Sequence, residues 1–599
     1  MQSSKGRAAW PSLFILAAAL LLLAASLRTE RGYQWAGVAM LALAGAPWRS
    51  LPANLLGLVT LTYCGWQFAS AAFVSPVYAA EGIYQPLMLL GAFAAFATIG
   101  RDRAAELFGA GVALVAGLVL LGLVQHFFGI WQLDLAVWRH EDNPVRAAAT
   151  FVTPNSFATV INMFLAPLAG LYLVDGSRRR LAIVLWLFAG LVATQSRGGM
   201  LAFLAGIAFV AACLGFSALW QGRIRILHAL AGCAAVWLVV AGAGIFVFPA
   251  VPGRAAETPA TAPWIERGTA ERPELYAATL GLIREHPLAG TGANTFFPLF
   301  ESVKPASLRD STYYYVHNDY LQVWLEFGAP GLALLLSLSI AALTIALRAH
   351  GRAPTDPVPL VCGAALATCF AHAMVDFPLY IPFILLLAGA CLGVLAAHAG
   401  GQLPAPAERV AGRALAVVSP PIRWALMLAA LTWLAQPPLA EMAVARSIAA
   451  LERGDAREGI YWQTVARRLE PRHPAHYWAE AMIWLGQAAL TKNPLHSAQA
   501  DALFVEGMRV NRYDVANLLG RIELHRQHAT LLSQPARPAE ILAWAEHAAA
   551  LRPQRFPVQA ELALTLAHAG ERERARALAR SLREQYPASK LARRLAAEL

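Results

Sequence analysis

Charged residues are scarce in this chain of 599 residues. Asp, Glu, Lys and Arg together make up 14% of it, against roughly 25% in a soluble globular protein. In their place, apolar runs close to twenty residues long recur from the N-terminus to about residue 437. A helix of that length spans the roughly 30 Å hydrocarbon core of a bilayer. The composition therefore excludes a soluble globular protein and predicts an all-α polytopic membrane protein.

Cysteine is also sparse, and its pattern argues against several classes of protein. The six cysteines all lie in apolar runs, form no CxxC pair and have no histidine at metal-ligand spacing: Cys64, Cys213, Cys233, Cys362, Cys369 and Cys391. They are typical of small packing residues in membrane helices. The chain likewise contains no Walker loop, no HExxH or GxSxG motif and no zinc-type Cys/His set. The sequence predicts neither a metal nor a cofactor.

Positive charge is in excess, with a net charge of +11, but its placement argues against a nucleic-acid partner. Most arginines before the C-terminal region lie in short loops between apolar runs, among them Arg49, Arg101, Arg103 and the SRRR segment at 177–180. Placing the N-terminus in the cytoplasm puts all of these loops on the cytoplasmic side, as the positive-inside rule requires.

The hydropathy pattern predicts thirteen membrane spans. They lie near residues 11–27, 34–47, 52–73, 85–100, 105–128, 155–174, 181–195, 199–220, 226–250, 328–347, 357–375, 378–398 and 422–437. The loops 129–154 and 251–327 and the tail then face the opposite side, which in a Gram-negative inner membrane is the periplasm. We therefore predict a membrane domain over residues 1–437, which includes the loop 251–327, and a periplasmic domain over residues 438–599.

The tail is charged and consists of helix-forming stretches separated by prolines. Pro553 and Pro587 are 34 residues apart, which is the period of the tetratricopeptide repeat. The stretch AELALTLAHAGERERARALARSLREQYP matches one helix pair of such a repeat. We predict a TPR-like helical domain that either binds a protein partner or only caps the membrane domain.

A polar segment, STYYYVHNDYLQVWLEFGAPG at 311–331, ends the long loop at the start of an apolar run. Asp319 followed by Gln322 fits a capping box, which places His317 and Asn318 just before a helix N-terminus. The partial positive charge of that end disfavours imidazolium and attracts anionic groups such as phosphate. His317 is thus a candidate general base, with Asn318 and Asp319 as supporting residues. The alternative is an ordinary interfacial histidine that is hydrogen-bonded to a loop.

Two arginines stand out on the outer side. Arg197, in TQSRGGM, lies in a tight turn between two spans and works against the positive-inside bias, so it needs a partner or a substrate. The alternative is an arginine that extends to lipid head groups. Arg272 opens a short amphipathic helix that ends at HPLAGTGANTF, where GTGAN predicts a polar turn.

Two further polar residues lie at predicted helix ends. Asn155, in TPNSFA, fits the N-cap of a membrane helix, and a cap without a chemical role explains it as well. Asp376, in HAMVDFPLYIPF, lies at an outer helix end before two prolines. It either orients an arginine or only terminates a span.

Five motifs occur in one order along the chain: TPNSFA, TQSRGGMLAFLAG, HPLAGTGANTF, VHNDYLQVWLEFGAPGLALL and VDFPLYIPF. With them, roughly residues 140–400 resemble the O-antigen ligase and polymerase superfamily of bacterial envelope glycosyltransferases. The His-Asn element at the end of the long loop is the most specific part of this resemblance.

The resemblance implies a glycosyltransferase fold of the membrane C type. It implies transfer of a glycan from undecaprenyl diphosphate to an acceptor hydroxyl on the periplasmic side, without a metal or a nucleotide sugar. His317 would be the essential histidine, and Arg197 and Arg272 would bind the donor diphosphate.

Several alternatives stay open. The additional span and the tail depart from a simple lipid A-core ligase, so the acceptor is lipid A-core, a growing glycan, as in a polymerase, or a protein, as in a protein O-oligosaccharyltransferase. Outside the enzyme class, a transporter or an assembly scaffold is the alternative. A transporter would favour internal repeats, and the sequence shows no clear inverted repeat.

Overall fold

The computed structural model describes residues 54–74, 82–99, 101–128, 146–151, 153–215, 264–309, 311–399 and 420–599. Within these ranges the chain forms helices joined by turns and contains no strand. This confirms the all-α class that the apolar runs predict.

The described chain up to residue 399 contains apolar helices and the shorter helices of an intervening loop. In chain order they are α1 (Leu55–Phe73), α2 (Tyr84–Ile99), α3 (Arg101–Phe128), α4 (Pro154–Asp175), α5 (Arg178–Ala193), α6 (Arg197–Leu214), α7 (Trp264–Glu285), α8 (Phe296–Val303), α9 (Asp319–Arg352), α10 (Pro357–His372) and α11 (Pro382–Ala399). Single 3₁₀ turns lie at Ala306–Leu308 and Pro378–Tyr380.

Four of the described helices are long and apolar enough to cross a membrane, namely α3 from Arg103 onward, α4, α6 and α9. The helices α2, α10 and α11 are also apolar but shorter. These helices confirm a polytopic membrane protein. Every predicted span on described residues overlaps a helix, whereas the predicted spans near 11–27, 34–47 and 226–250 lie outside the described residues.

Helices α4 and α10 lie at the centre of the membrane part. Thr153 caps α4 through its side chain, and Pro154 occupies the first turn. Helix α4 is buried along most of its length, and α10 packs against α4, α6 and α9. Hydrogen bonds between these helices place the N-terminal ends of α4, α6 and α9 beside the C-terminal end of α10. Four helix ends therefore meet on one side of the molecule.

Helix α9 begins earlier than the span predicted at 328–347, and it has a break. The amphipathic segment predicted at 319–327 forms its first turns, and Gly328 then interrupts the helix with φ 70° and ψ −176°. The turn GTGAN docks on this break, with Thr291 and Gly292 donating backbone hydrogen bonds of 2.8 and 2.9 Å to the carbonyls of Leu325 and Glu326. The close approach of the turn explains why α9 breaks at a glycine.

We expect Gly328→Ala to destabilise the protein by about 3 kcal/mol or more, because its backbone lies in a region that only glycine adopts readily. A β-carbon at Gly328 would also lie 1.9 Å from the carbonyl oxygen of Leu288. Thermal unfolding in detergent measures the effect. Gly351→Ala is the matched control, since Gly351 lies in the same helix with open space around it. Equal melting temperatures for the two variants would contradict the prediction.

The described chain from residue 420 onward is a series of helices in which each packs on the next. They are α12 (Pro420–Glu452), α13 (Ala456–Leu469), α14 (Pro474–Thr491), α15 (Pro494–Val510), α16 (Val515–Gln527), α17 (Pro538–Leu551), α18 (Phe556–His568), α19 (Arg572–Gln585) and α20 (Lys590–Glu598). The predicted helix pair corresponds to α18 and α19. The helical character of the tail is confirmed, while its repeat class stays a prediction.

The predicted domain boundary between residues 437 and 438 falls inside α12. This helix runs through Pro437 and Pro438 without interruption. The division into a membrane domain over 1–437 and a second domain over 438–599 therefore stays a prediction.

Candidate active site

His317 lies in the turn directly before α9. Its ring nitrogen Nδ1 is 2.9 Å from Oδ1 of Asp376. Phe377 packs edge-on against the imidazole, with ring centroids 4.9 Å apart. The hydroxyl of Tyr276 donates a hydrogen bond of 2.8 Å to the backbone carbonyl of His317. Contacts to both the ring and the backbone thus fix the orientation of the imidazole.

The backbone of His317 is strained, with φ at 56°. A residue with a side chain seldom adopts this left-handed conformation. Ala149 and Gln195, which lie in the turns before α4 and α6, also have positive φ, at 50° and 51°. Such strain persists only where surrounding contacts hold it, and it concentrates at functional sites.

Asp376 is a buried carboxylate that lies beside two histidines and in the field of an arginine. Burial opposes its ionisation, but the hydrogen bond and charge of His317, together with the charges of His372 and Arg272, outweigh burial and lower the pKa of Asp376 below its ordinary value. The carboxylate is therefore ionised at neutral pH and accepts the hydrogen bond. It follows that Nδ1 of His317 carries a proton, so that in the neutral imidazole the lone pair lies on Nε2.

Asp319 holds the segment that carries Asp376. Its backbone N–H donates to the carbonyl of Ala373 at 2.8 Å, and its carboxylate accepts a hydrogen bond of 2.8 Å from the N–H of Leu379. The two contacts flank Asp376 on both sides in the chain. Asp319 thus ties the start of α9 to the segment that orients the histidine.

The predicted capping box at Asp319 is wrong by one residue. Asn318 is the N-cap of α9, since its side chain accepts a hydrogen bond of 3.1 Å from the N–H of Leu321. Asn318 has the extended backbone that an N-cap requires, whereas Asp319 is already helical. Gln322 instead accepts a hydrogen bond of 2.9 Å from the N–H of Val316.

A second histidine connects Asp376 to the turn that carries Arg197. His372 is buried at the end of α10, with Nε2 4.0 Å from Oδ2 of Asp376. Gly198 packs so closely that a β-carbon there would lie 2.9 Å from the same nitrogen. Arg197 is the first residue of α6, and its side chain lies at the protein surface. The turn of Arg197 is therefore separated from Asp376 by one imidazole ring.

Arg272 lies in the long loop, and its charge acts on two groups of the site. Its positive charge lowers the pKa of Asp376 and opposes the burial that raises the pKa of Tyr276. Tyr276 lies one helical turn after Arg272 in α7 and donates a hydrogen bond to the backbone of His317, so the same helix carries both residues to the site. The prediction that Arg272 opens a helix is wrong, because α7 begins at Trp264 and continues through Pro273. A proline suits a first turn, but α7 accommodates this one in its interior.

A third arginine, Arg146, connects two of the helix ends. Its Nε donates to the carbonyl of Thr194 at 2.8 Å, and its Nη2 donates to the side-chain oxygen of Asn155 at 2.9 Å. Burial lowers the pKa of Arg146 to about 10, and the charge of Asp376 counteracts this decrease. Arg146 therefore ties the start of α4 to the end of α5, and its charge interacts with that of Asp376.

The predicted N-cap role of Asn155 is wrong. Thr153 caps α4, because its hydroxyl accepts a hydrogen bond of 3.1 Å from the N–H of Ser156. Asn155 lies inside the first turn, which leaves its side-chain oxygen available to Arg146. It still supports the site, but through an arginine rather than through the helix end.

The sequence analysis does not identify three residues of this site, namely His372, Tyr276 and Arg146. For the first two, the sequence contains a spacing that could have indicated them. His372 and Asp376 are four residues apart, as are Arg272 and Tyr276. That spacing places two side chains on one face of a helix. Arg146, in EDNPVRAAAT, has no periodicity or motif that would single it out.

The described helices and this site define a polytopic all-α membrane protein with an oriented histidine and several arginines where helix ends meet. Residues 182–336 match the O-antigen ligase family, so the chain carries a domain of that family. The matched stretch runs from α5 into α9 and contains Arg197, Arg272 and His317, whereas Asp376 lies beyond it. No curated protein matches the chain. The family supports a glycosyltransferase of the ligase or polymerase type, with a lipid-linked glycan donor and a glycan acceptor in general terms.

Proposed function

We propose that this protein is a glycosyltransferase of the bacterial inner membrane that moves a glycan from undecaprenyl diphosphate to an acceptor hydroxyl in the periplasm. The observation that carries the proposal is the hydrogen bond of 2.9 Å between His317 and the buried Asp376. This hydrogen bond orients a candidate base at one end of a bundle of membrane helices, where several arginines also lie. The match to the O-antigen ligase family supports the same type of reaction.

In the proposed reaction, the acceptor hydroxyl attacks the anomeric carbon of the donor sugar. The bond between that carbon and the diphosphate oxygen breaks, and its electron pair leaves with the diphosphate. The hydroxyl proton passes to Nε2 of His317, while Asp376 stabilises the imidazolium that forms. The products are the glycoside and undecaprenyl diphosphate, and His317 then releases its proton to solvent.

The diphosphate would be bound by Arg197 and Arg272. Both the donor and the leaving group are anionic, and fixed cations stabilise the charge that develops on the departing oxygen. Guanidinium groups suit this task because their N–H donors match phosphate oxygens in pairs. Asn155 and Arg146 would act indirectly, by holding the ends of α4 and α5 in place.

The proposed orientation puts this site and the helices α13 to α20 in the periplasm. The ends of α4, α6, α9 and α10 that build the site share one side of the molecule. The opposite side carries the SRRR segment at the start of α5 and the arginines at the end of α9. Positive loops favour the cytoplasmic side, and this distribution supports the proposed orientation. The division at residues 437 and 438 is part of the same proposal.

A transfer assay in nanodiscs tests the function. Purified protein would receive an undecaprenyl-diphosphate glycan together with lipid A-core, a free glycan or a pilin-like protein as acceptor. Transfer to one acceptor chooses between a ligase, a polymerase and a protein glycosyltransferase. If well-folded protein neither binds the donor nor transfers its glycan, the enzymatic proposal fails and a transporter or scaffold takes its place.

We expect Arg272→Ala to weaken transfer about 10²-fold, the loss typical of removing one charge-stabilising group. Donor binding and turnover should both fall, because the diphosphate is negative in the substrate and more so when it leaves. Arg284→Ala is the matched control, since Arg284 is an exposed arginine on the same helix α7. Steady-state kinetics and donor binding measure the two effects. Equal kinetics for the two variants would remove Arg272 from the donor site.

A further inference from the structure

The C-terminal helices contact the loop that carries His317. Helix α17 packs against α8. The turn between α17 and α18 supplies Arg552, whose Nη1 donates a hydrogen bond of 3.0 Å to the carbonyl of Pro298 and whose guanidinium lies 5.9 Å from the ring of Phe297. In the reverse direction, Arg309 of the loop lies over the ring of Tyr586, at 5.4 Å. The contact is thus built from both regions of the chain.

An ion pair with a buried carboxylate lies at the centre of this contact. Nε of Arg555, in the same turn, is 2.7 Å from Oε2 of Glu301, whose side chain is only 1% exposed. The other carboxylate oxygen, Oε1, accepts a hydrogen bond of 3.2 Å from Lys304, which is equally buried. Glu301 therefore receives one cation from its own loop and one from the C-terminal helices. Removing either cation would leave a buried carboxylate undercompensated.

Lys304 continues the connection toward the site. Its ammonium also donates hydrogen bonds to the backbone carbonyls of Arg309 and Ser311. It thus fixes the chain directly before Tyr313, whose hydroxyl donates to Glu271 and whose ring meets the His317 ring edge-on, with centroids 6.2 Å apart. An unbroken series of contacts runs from Arg555 to the imidazole.

The same series of contacts includes the neighbour of a residue that is proposed to bind the donor. Glu271 accepts hydrogen bonds from both Ser311 and Tyr313, and it is the neighbour of Arg272 in α7. A shift of the segment 304–313 would therefore displace both the base and the residue next to a proposed diphosphate ligand. Errors of about 1 Å in such positions cost about 10²-fold in rate.

We propose that the C-terminal helical domain is an integral part of the active site, with Arg555 as a positioning residue that holds segment 296–317 through Glu301 and Lys304. This gives the domain a role within its own chain, in place of a docking surface for another protein. The role in catalysis rests on the proposed glycosyltransferase function, whereas the holding of the segment does not.

The test compares Arg555→Ala with Arg526→Ala in the full-length protein. Arg526 is the matched control because it forms an ion pair of 2.8 Å with Glu561 between α16 and α18, inside the C-terminal domain. Hydrogen exchange of the amides in 304–317 should become about tenfold faster in Arg555→Ala, as expected for a segment that loses an anchoring contact, and stay unchanged in Arg526→Ala. The turnover number should fall about tenfold in Arg555→Ala alone, with the KM for the donor within about twofold of wild type.

Two more variants separate positioning from general destabilisation. Glu301→Gln combined with Arg555→Ala should be no slower than the worse single variant, because both remove one shared contact. Arg555→Lys keeps the charge and should restore part of the turnover. Unchanged exchange in Arg555→Ala, or the same increase in Arg526→Ala, overturns the proposal. So does wild-type turnover in Arg555→Ala when the wild type is active. An inactive wild type would refute only the proposed function, since the exchange measurement still decides whether Arg555 holds the segment.

Discussion

Replacing His317 with alanine should lower the rate of glycan transfer about 10²- to 10⁴-fold, the range that a positioned general base contributes. The variant removes the ring whose Nδ1 is hydrogen-bonded to Asp376 and whose Nε2 would accept the acceptor proton. The KM for the donor should change little, because the arginines rather than the histidine bind the diphosphate. Steady-state transfer in nanodiscs, with donor binding measured separately, checks both expectations.

The backbone at this position requires a second variant. His317 has φ at 56°, and alanine does not relieve this strain, so His317→Ala has a folding cost of its own. Asparagine adopts the left-handed region more readily and offers no basic ring nitrogen, so His317→Asn should fold well and remain inactive. His286→Ala is the control, since His286 is exposed in the turn after α7. Wild-type turnover in the well-folded His317→Asn protein would eliminate His317 as the base.

The membrane helices can be predicted from the sequence because a bilayer restricts the segments that can cross it. A spanning segment must satisfy its own backbone and present apolar side chains over about twenty residues, so apolar runs mark the helices directly. The exact ends of the helices are harder to predict from the sequence. Asn318 and Asp319 are both good capping residues, and only the backbone of the preceding turn decides between them. The same holds for Thr153 and Asn155 at the start of α4.

The site follows from the sequence only in part, for a physical reason. His317 lies at a recognisable helix start and Arg197 in a recognisable turn, so local patterns select both. The hydrogen bond between His317 and Asp376 joins residues 59 positions apart, and no periodicity connects them. The sequence predicts that Asp376 orients an arginine or ends a span, and the structure adds a hydrogen bond to His317 that no local pattern indicates.

The contact between the C-terminal helices and the loop has even less local signal. Glu301 and Arg555 are 254 positions apart. Neither has a local pattern that marks it, since Glu301 lies in the apolar stretch FFPLFESV and Arg555 lies in the turn before α18. The pairing of the two residues is explained by the burial of Glu301, because a carboxylate that is 1% exposed requires a cation nearby. Only the packing of α8 against α17 reveals that requirement, and this packing supports the proposal that the tail is part of the catalytic unit.

Asp376→Asn should lower transfer by about 10²- to 10⁴-fold while leaving the fold intact, as the loss of an orienting carboxylate does in a His–Asp pair. An amide can donate to Nδ1, which would place the imidazole proton on Nε2 and so remove the lone pair from the reacting side. It also removes the negative charge that stabilises the imidazolium. Because the pKa of Asp376 is lowered, the wild-type carboxylate is ionised throughout the neutral range, so the variant changes a charge that is present during the reaction.

The chain offers a closely matched control for this substitution. Asp356 is another buried aspartate, it lies 3.2 Å from a histidine, His398, and it caps the opposite end of α10. Asparagine caps helices about as well as aspartate, so Asp356→Asn should keep both stability and transfer. A loss confined to Asp376→Asn, with donor binding unchanged, assigns the carboxylate to the orientation of His317. Equal losses in both variants would mean that Asp376 only stabilises the end of α10, and His317 would then act without an orienting partner.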